Sequence, residues 1–421
     1  MEPEKIPAVL RIPRPLQERF YELAREEVSR LLKAIRSVDP RFLEPFEEVV
    51  GGAKREPRRV EWRDSVFAIV DGSDTPSIVE RIGLKYGLSA AGLKLFRGLE
   101  ALPEGESFVG EALRGQVHES KEEFLKKLDL VTVYLERRMA LGALERADYV
   151  VLDGSFFGFR AGCSRVKERK LDWVDPFTHR RFGFVQELID ELVEMTEELL
   201  GTGRVFGVVK RVATSAIDGY VGYRYGPDRM LGLSDRSVLM LVTSPGDVVE
   251  YSSVFDRPHE VYSLLRSMLE ERSGAVSKEV LERDLATAER RFRVQLDSDL
   301  IPYEAREKER VERLERLVRL IGSTERAFVR TVESQPPVCV ELPRAAPRDL
   351  KDLAVTYALE TFNPATGLPI ALDVVDDLVS LPRGLGSEFV EEVEAELLRR
   401  GIDVGSLRAF FSRVNPQKEI E

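Results

Sequence analysis

The chain has 421 residues, 43% hydrophobic and 33% charged, with 63 basic against 74 acidic side chains and a formal net charge of −11. That length admits two or three domains, or one core with insertions. The acidic balance excludes a surface coated non-specifically by nucleic acid, though not a local basic groove beside an acidic metal centre.

Two cysteines (Cys163, Cys339) and three histidines (His118, His179, His259) exclude a CxxC zinc site and a His-rich metal site, and a disulfide framework is not expected. Any metal would rely mainly on oxygen ligands, which points to Mn²⁺ or Mg²⁺. The start, Met1-Glu2-Pro3-Glu4-Lys5, carries no apolar signal core, and no stretch reaches the length of a membrane span. A cytoplasmic protein is expected, with no membrane partner.

In chain order, residues 15–36 are predicted as an amphipathic helix, with Leu16, Phe20, Leu23, Val28, Leu31 and Leu32 at near-helical spacing. A polar, Arg-rich connection from Lys54 to Arg63 leads into an apolar run, Val66 to Val70, that reads as a buried strand stopping at Asp71-Gly72-Ser73. Residues 80–98 are predicted as extended, with a short helix over Leu88–Phe96 as the alternative. A helix follows over 119–147, carrying Phe124, Leu128, Val131, Leu135 and Met139. A second apolar run, Tyr149 to Leu152, stops at Asp153-Gly154-Ser155.

Residues 156–181 read as a basic, aromatic loop, and 183–200 as a helix ending before Gly201. Val205–Val209 is a strand ending in Lys210-Arg211. Val238–Val242 and Val248–Val254 are apolar segments of undecided type. From 259 to 322 the chain is charged and helical, which suggests an insertion rather than core. Strands are predicted over Ala327–Val332 and Val338–Leu342, then helices over 347–361, 369–381 and 388–400, the last closed by Gly401. This order suits a mixed α/β sheet with helices packed on it. The segments divide as 1–60 N-terminal helical, 61–258 first part of the core, 259–325 helical insertion, 326–385 remainder of the core and 386–421 C-terminal helical.

Both Asp-Gly-Ser runs place an acid at the rim of a sheet, with a glycine that permits a sharp turn beyond it. Two carboxylates delivered this way suit a hard metal, whereas either Asp-Gly alone could be only a turn. Glu136 sits beside the apolar stripe residues Leu135 and Met139, so it borders the face that packs on the sheet; a solvated acid paired with a neighbouring Arg is the plainer account. Lys210, at a strand end, could neutralise a phosphate oxygen or simply return the chain to solvent.

Between Phe156 and Arg181 there are seven Lys/Arg against three acids. Arg160, Arg165, Lys167, Arg169 and Lys170, with Arg211 further on, are candidates for tracking DNA phosphates. Phe156, Phe157, Phe159, Trp173 and Phe177 are interleaved and could stack on bases or be buried as core.

These features together resemble the NurA nucleases. The resemblance rests on Asp71-Gly72-Ser73, Glu136, Asp153-Gly154-Ser155 and Val209-Lys210-Arg211, then on Val338-Cys339-Val340-Glu341-Leu342-Pro343 and Gly367-Leu368-Pro369-Ile370-Ala371-Leu372. It covers roughly residues 60 to 380 and lies in the order and spacing of the motifs.

The resemblance implies an RNase H-like mixed sheet flanked by helices. It implies a Mn²⁺-dependent nuclease, with Mg²⁺ as the alternative ion and two ions bound, cutting DNA as a 5′ to 3′ exonuclease with single-strand endonuclease activity. A homodimer docked on a HerA-type hexameric ATPase would act in archaeal double-strand-break resection and homologous recombination. Asp71, Glu136 and Asp153 would be catalytic and metal-binding, with Lys210 catalytic. Where the family usually has Gly-Tyr-Pro and a following His ligand, this chain has Gly367-Leu368-Pro369 and Asp376, so Asp376 would replace that ligand. The rival readings are an actin-like or sugar-kinase-like ATPase, and a non-catalytic scaffold that guides DNA for a ring ATPase.

Overall fold

The computed structural model describes residues 12–36, 40–116, 118–272, 276–412 and 414. The chain opens with α1 (Arg14–Arg36) and α2 (Pro40–Gly51), then β1 (Lys54–Arg55), β2 (Val66–Asp74), β3 (Val79–Arg81), β4 (Leu84–Arg97) and β5 (Glu100–Gly115). Next come α3 (Lys121–Ala143), β6 (Tyr149–Asp153), the hairpin β7 (Lys170–Val174) and β8 (Arg181–Phe184), α4 (Val185–Gly201) and β9 (Val205–Val209). Then follow α5 (Ala216–Tyr225), α6 (Asp235–Val242), β10 (Val248–Glu250), α7 (Tyr251–Val254), α8 (His259–Glu270), α9 (Lys278–Leu300) and α10 (Glu307–Gly322). The chain closes with β11 (Thr324–Val329), β12 (Val338–Pro343), α11 (Arg348–Glu360), α12 (Ile370–Val379), α13 (Leu385–Arg399) and α14 (Val404–Phe411).

Ten strands form one mixed sheet in the order β1-β10-β11-β12-β9-β6-β2-β4-β3, with β5 added to β4. Among the described residues only β2–β6 and β6–β9 pair in parallel; the other ladders are antiparallel. Parallel neighbours need long crossovers, here supplied by α3 and α4. Side chains along the central strands face alternately into two buried clusters. Ala68, Val70, Val150 and Leu152 join the apolar cluster under α3 and α4. Phe67, Ile69, Val151, Phe206 and Val340 join the opposite cluster, under α11 and α12. Covered on both faces, these strands read as unbroken apolar runs.

Several expectations change. Leu88–Phe96 is strand, so the helical alternative falls. The first Asp-Gly-Ser is no turn: β2 runs on to Asp74, pairing with β4 as far as Ser89. The second is a turn, with β6 ending at Asp153 and Gly154 at φ 135°. Val238–Val242 is helical, in α6, and 248–254 splits into β10 and α7. The segment 259–322 contributes to the core: Tyr262, Leu265, Phe292 and Leu296 lie in the cluster beneath α3 and α4. Leu16, Phe20, Leu23 and Val28 on α1 are exposed, while the side chains of Leu31 and Leu32 lie outside the described residues. No helix among the described residues is long and apolar enough to cross a membrane.

The strand β5 lies at one end of the sheet. It carries Pro103 and the exposed acids Glu100, Glu104 and Glu106.

Close contact between β6 and β9 fixes the turn after Asp153. The Gly154 N–H donates to Val208 O at 2.9 Å, and a methyl group at Gly207 would run into the Gly154 carbonyl oxygen. Gly207→Ala is therefore expected to cost about 1–3 kcal/mol of folding stability through overpacking. Chemical denaturation measures it, and an unchanged midpoint and slope would contradict the packing described.

Candidate metal centre

The parallel pairing of β2 with β6 runs to Val70 opposite Leu152. One residue further on, Asp71 and Asp153 lie side by side. By strand alternation both belong with Phe67, Ile69 and Val151, on the face covered by α12. There α12 brings Asp376, and one carboxylate oxygen from each of Asp71, Asp153 and Asp376 lies within 4.8 Å of the others. Asp71 is buried, Asp153 half-buried and Asp376 exposed.

Lys210, just past β9, places its Nζ 2.5 Å from Asp153 Oδ2 and 2.9 Å from Asp376 Oδ1. Its ammonium is thus ion-paired with two of the three acids. An all-oxygen donor set gathered around a positive charge fits a hard divalent cation.

Glu136 reaches the same rim from the other face of the sheet. A methyl group at Gly72 would stand 2.5 Å from Glu136 Oε1 and 2.8 Å from Thr132 Cγ2. Glycine at 72 is thus required by the close approach of α3 rather than by a turn. Helix α3 is anchored by a reciprocal capping box, in which Ser120 accepts from Glu123 N and Glu123 from Ser120 N. Glu136 lies outside the tight group of three but acts on it electrostatically.

Burial raises the Asp71 carboxyl well above the usual range, and the adjoining Asp153 and Glu136 add to this against Lys210. Asp153 is also raised, by burial first, with Lys210 opposing. Glu136 is pushed up to about 8, chiefly by burial. Lys210 is raised although burial works against its charge, because Asp153 and Asp376 hold its proton. Further along β2, burial and the nearby Asp129 push Asp74 up to about 6.

The candidate phosphate contacts divide. Lys167 is fully buried, and its ammonium donates to backbone carbonyls of Ser298 and Ile301 at the end of α9; it is a structural lysine and offers nothing to DNA. Arg165 pairs with Glu122 and Arg169 with Glu123. Lys170 and Arg211 are exposed. Arg160 and Arg211 line a cleft of about 320 Å³ together with Ser155, Val209 and Glu341; Asp71, Asp153 and Asp376 are not part of its lining. Of the interleaved aromatics, Phe156, Phe157, Phe159 and Trp173 are core and only Phe177 is exposed, so base stacking by the first four is excluded.

Three residues around the Asp153 turn had no role in the sequence reading. Glu341 Oε2 accepts from Ser155 Oγ at 2.7 Å and from Phe156 N at 2.6 Å. Arg326 Nε donates to Glu341 Oε1 at 2.9 Å, and Arg137 Nη2 donates to Ser155 O at 2.9 Å. The available signal was an acid within the apolar run Val338–Leu342, where a charge needs a partner.

A mixed sheet between helical layers, with acids from two parallel strands and a facing helix meeting at one rim, defines an α/β protein whose rim could hold a hard cation. The particular fold is that of NurA. The crystal structure of the NurA nuclease from Sulfolobus solfataricus matches with a TM-score of 0.51 at 12% identity, over 93% of this chain and 99% of that one. A structure of NurA with manganese (TM-score 0.39, 11% identity, 90% and 99% covered) and one of human ENDOV (0.30, 10%, 80% and 94%) match more loosely, and of the three only the first bears on the fold. No family model matches the chain, and no curated protein matches it.

Stability should report the carboxyl cluster. Folded, Asp71, Asp153 and Glu136 keep protons that the unfolded chain releases near the ordinary carboxylate range. Stability contributed at low pH is therefore lost as pH rises toward and through about 8, where Glu136 ionises. Chelator-treated protein should lose stability between about pH 5 and pH 8, and Asp71→Asn should flatten that slope. Denaturant titrations across pH measure it; equal slopes in the two proteins would contradict the clustering.

Proposed function

We propose that this chain is a metal-dependent nuclease that hydrolyses DNA. The observation that carries the reading is the meeting of Asp71, Asp153 and Asp376 around the Lys210 ammonium, on a fold shared with a NurA nuclease. The core is read as RNase H-like, with Asp71 as the central ligand on the strand flanked by β4 and β6.

Asp71, Asp153 and Asp376 would hold the cation, Mn²⁺ or Mg²⁺, with Glu136 positioned to complete a second site. Such ions supply an activated water and charge stabilisation for the leaving oxygen. Lys210 keeps a permanent positive charge at the rim, where a non-bridging phosphate oxygen would lie. Asp376 brings the exposed carboxylate and so the side open to substrate. Arg160 and Arg211, in the cleft that runs past Ser155 in the turn after Asp153, would hold the strand, with Arg165, Arg169 and Lys170 more peripheral.

The motif resemblance extends the reading to 5′ to 3′ exonuclease and single-strand endonuclease activity. It extends also to a homodimer acting in the cytoplasm with a HerA-type hexameric translocase in the resection of double-strand breaks.

The test is cleavage of end-labelled single-stranded and duplex DNA with and without Mn²⁺. Asp71→Ala and Asp153→Ala should each lower metal-dependent cleavage by more than about 100-fold, beyond what losing an orienting partner costs, with the fold retained. Near-full activity in both variants would reject the assignment. Stabilisation by ATP together with no cleavage would favour the ATPase reading.

A further inference from the structure

Asp153 ends its strand, paired with Val208 of β9 and bridged to Lys210, and the backbone beyond it is held through the next three residues. Gly154 is tied to β9. Ser155 and Phe156 are tied to one carboxylate, that of Glu341, which receives the Ser155 hydroxyl and the Phe156 N–H on a single oxygen. The other oxygen of Glu341 receives Arg326, its cross-strand neighbour on β11. The pair is deeply buried, with side-chain exposures of 13% for Arg326 and 3% for Glu341. A buried ion pair does not by itself explain its presence, since apolar residues of similar size commonly serve stability as well. What an apolar pair would lack is two directed acceptor bonds to the turn that carries Asp153.

The opposite side of the same turn is held from α3. Arg137 donates to the Ser155 carbonyl, and its neighbour in sequence is Glu136. The turn is thus clamped between a carboxylate from the sheet and a guanidinium from the helix that bears another acid of the rim.

We infer that Glu341, backed by Arg326, is a positioning residue for the metal centre: it sets the backbone after Asp153 and thereby the aim of the Asp153 carboxylate at the cation. This rests on the metal-centre reading above. Glu341 itself lies in the strand next to β9 and touches the turn, not the cation. Partners that orient metal ligands typically account for about 10–100-fold in metal affinity.

The test uses the full chain and MnCl₂ alone, with affinity from isothermal titration calorimetry and fold integrity from thermal denaturation in chelator. Glu341→Gln keeps the shape and removes the charge, and Mn²⁺ affinity should fall about 10–100-fold. Ser155→Ala deletes one of the two bonds and should weaken Mn²⁺ binding by a smaller factor, without relying on the Glu341 variant to fold. A wild-type Kd in Glu341→Gln with only the melting temperature lowered would show a merely structural role and overturn the inference. So would a wild-type Kd in Ser155→Ala if Glu341→Gln does not fold. Wild-type protein that binds no Mn²⁺ would overturn the metal-centre reading, and this inference with it, whereas intact wild-type binding beside unchanged variants overturns the inference alone.

Discussion

Three carboxylates within 4.8 Å of one another repel, and the rest of the molecule is arranged around containing that repulsion. Burial raises the Asp71 and Asp153 carboxyl groups, and the Lys210 ammonium opposes that shift. Lys210 supplies the counter-charge, and it can do so only because β9 ends beside β6 and aims the next residue at the same rim. The parallel triplet β2, β6 and β9 therefore has a chemical as well as an architectural role. It carries three neighbouring strands in the same direction to one rim, which an antiparallel meander would not.

The fourth contributor closes the group from outside the sheet. Helix α12 rests on β2 and β4 through Val375 and Val379 while its next residue after Val375 is Asp376. The site is thus discontinuous: residues 71, 153, 210 and 376 meet only when the central sheet and the C-terminal helices are docked. Removing the packing of α12 would leave Asp71 and Asp153 in place and take away the most exposed carboxylate, the one facing substrate.

Legibility followed burial. The strands of the central sheet are covered on both sides, so Val66–Val70, Tyr149–Leu152, Val205–Val209 and Val338–Leu342 stood out as apolar runs, and the acids following the first two stood out with them. The strand β5 did not, because Pro103, Gly105 and several exposed acids erase its alternation. The hairpin strand β7 was missed inside a basic stretch although Lys170-Leu171-Asp172-Trp173-Val174 alternates strictly between exposed and buried. Lys167 looked like its basic neighbours; its sequence context holds no trace of the α9 carbonyls that receive its ammonium, 130 or more residues away. Glu136 was legible only as a helical acid near an apolar stripe. The close approach across Gly72 that gives it a role is a tertiary fact.

The sheet ends in a long strand that its sequence keeps unattractive. Pro103 withholds a backbone donor, and glutamates at 100, 104 and 106 would confront the same charges on an identical strand laid alongside. Continuous edge-to-edge growth from one molecule to the next is disfavoured there. A sixteen-residue border that would otherwise template fibres instead marks where the sheet stops.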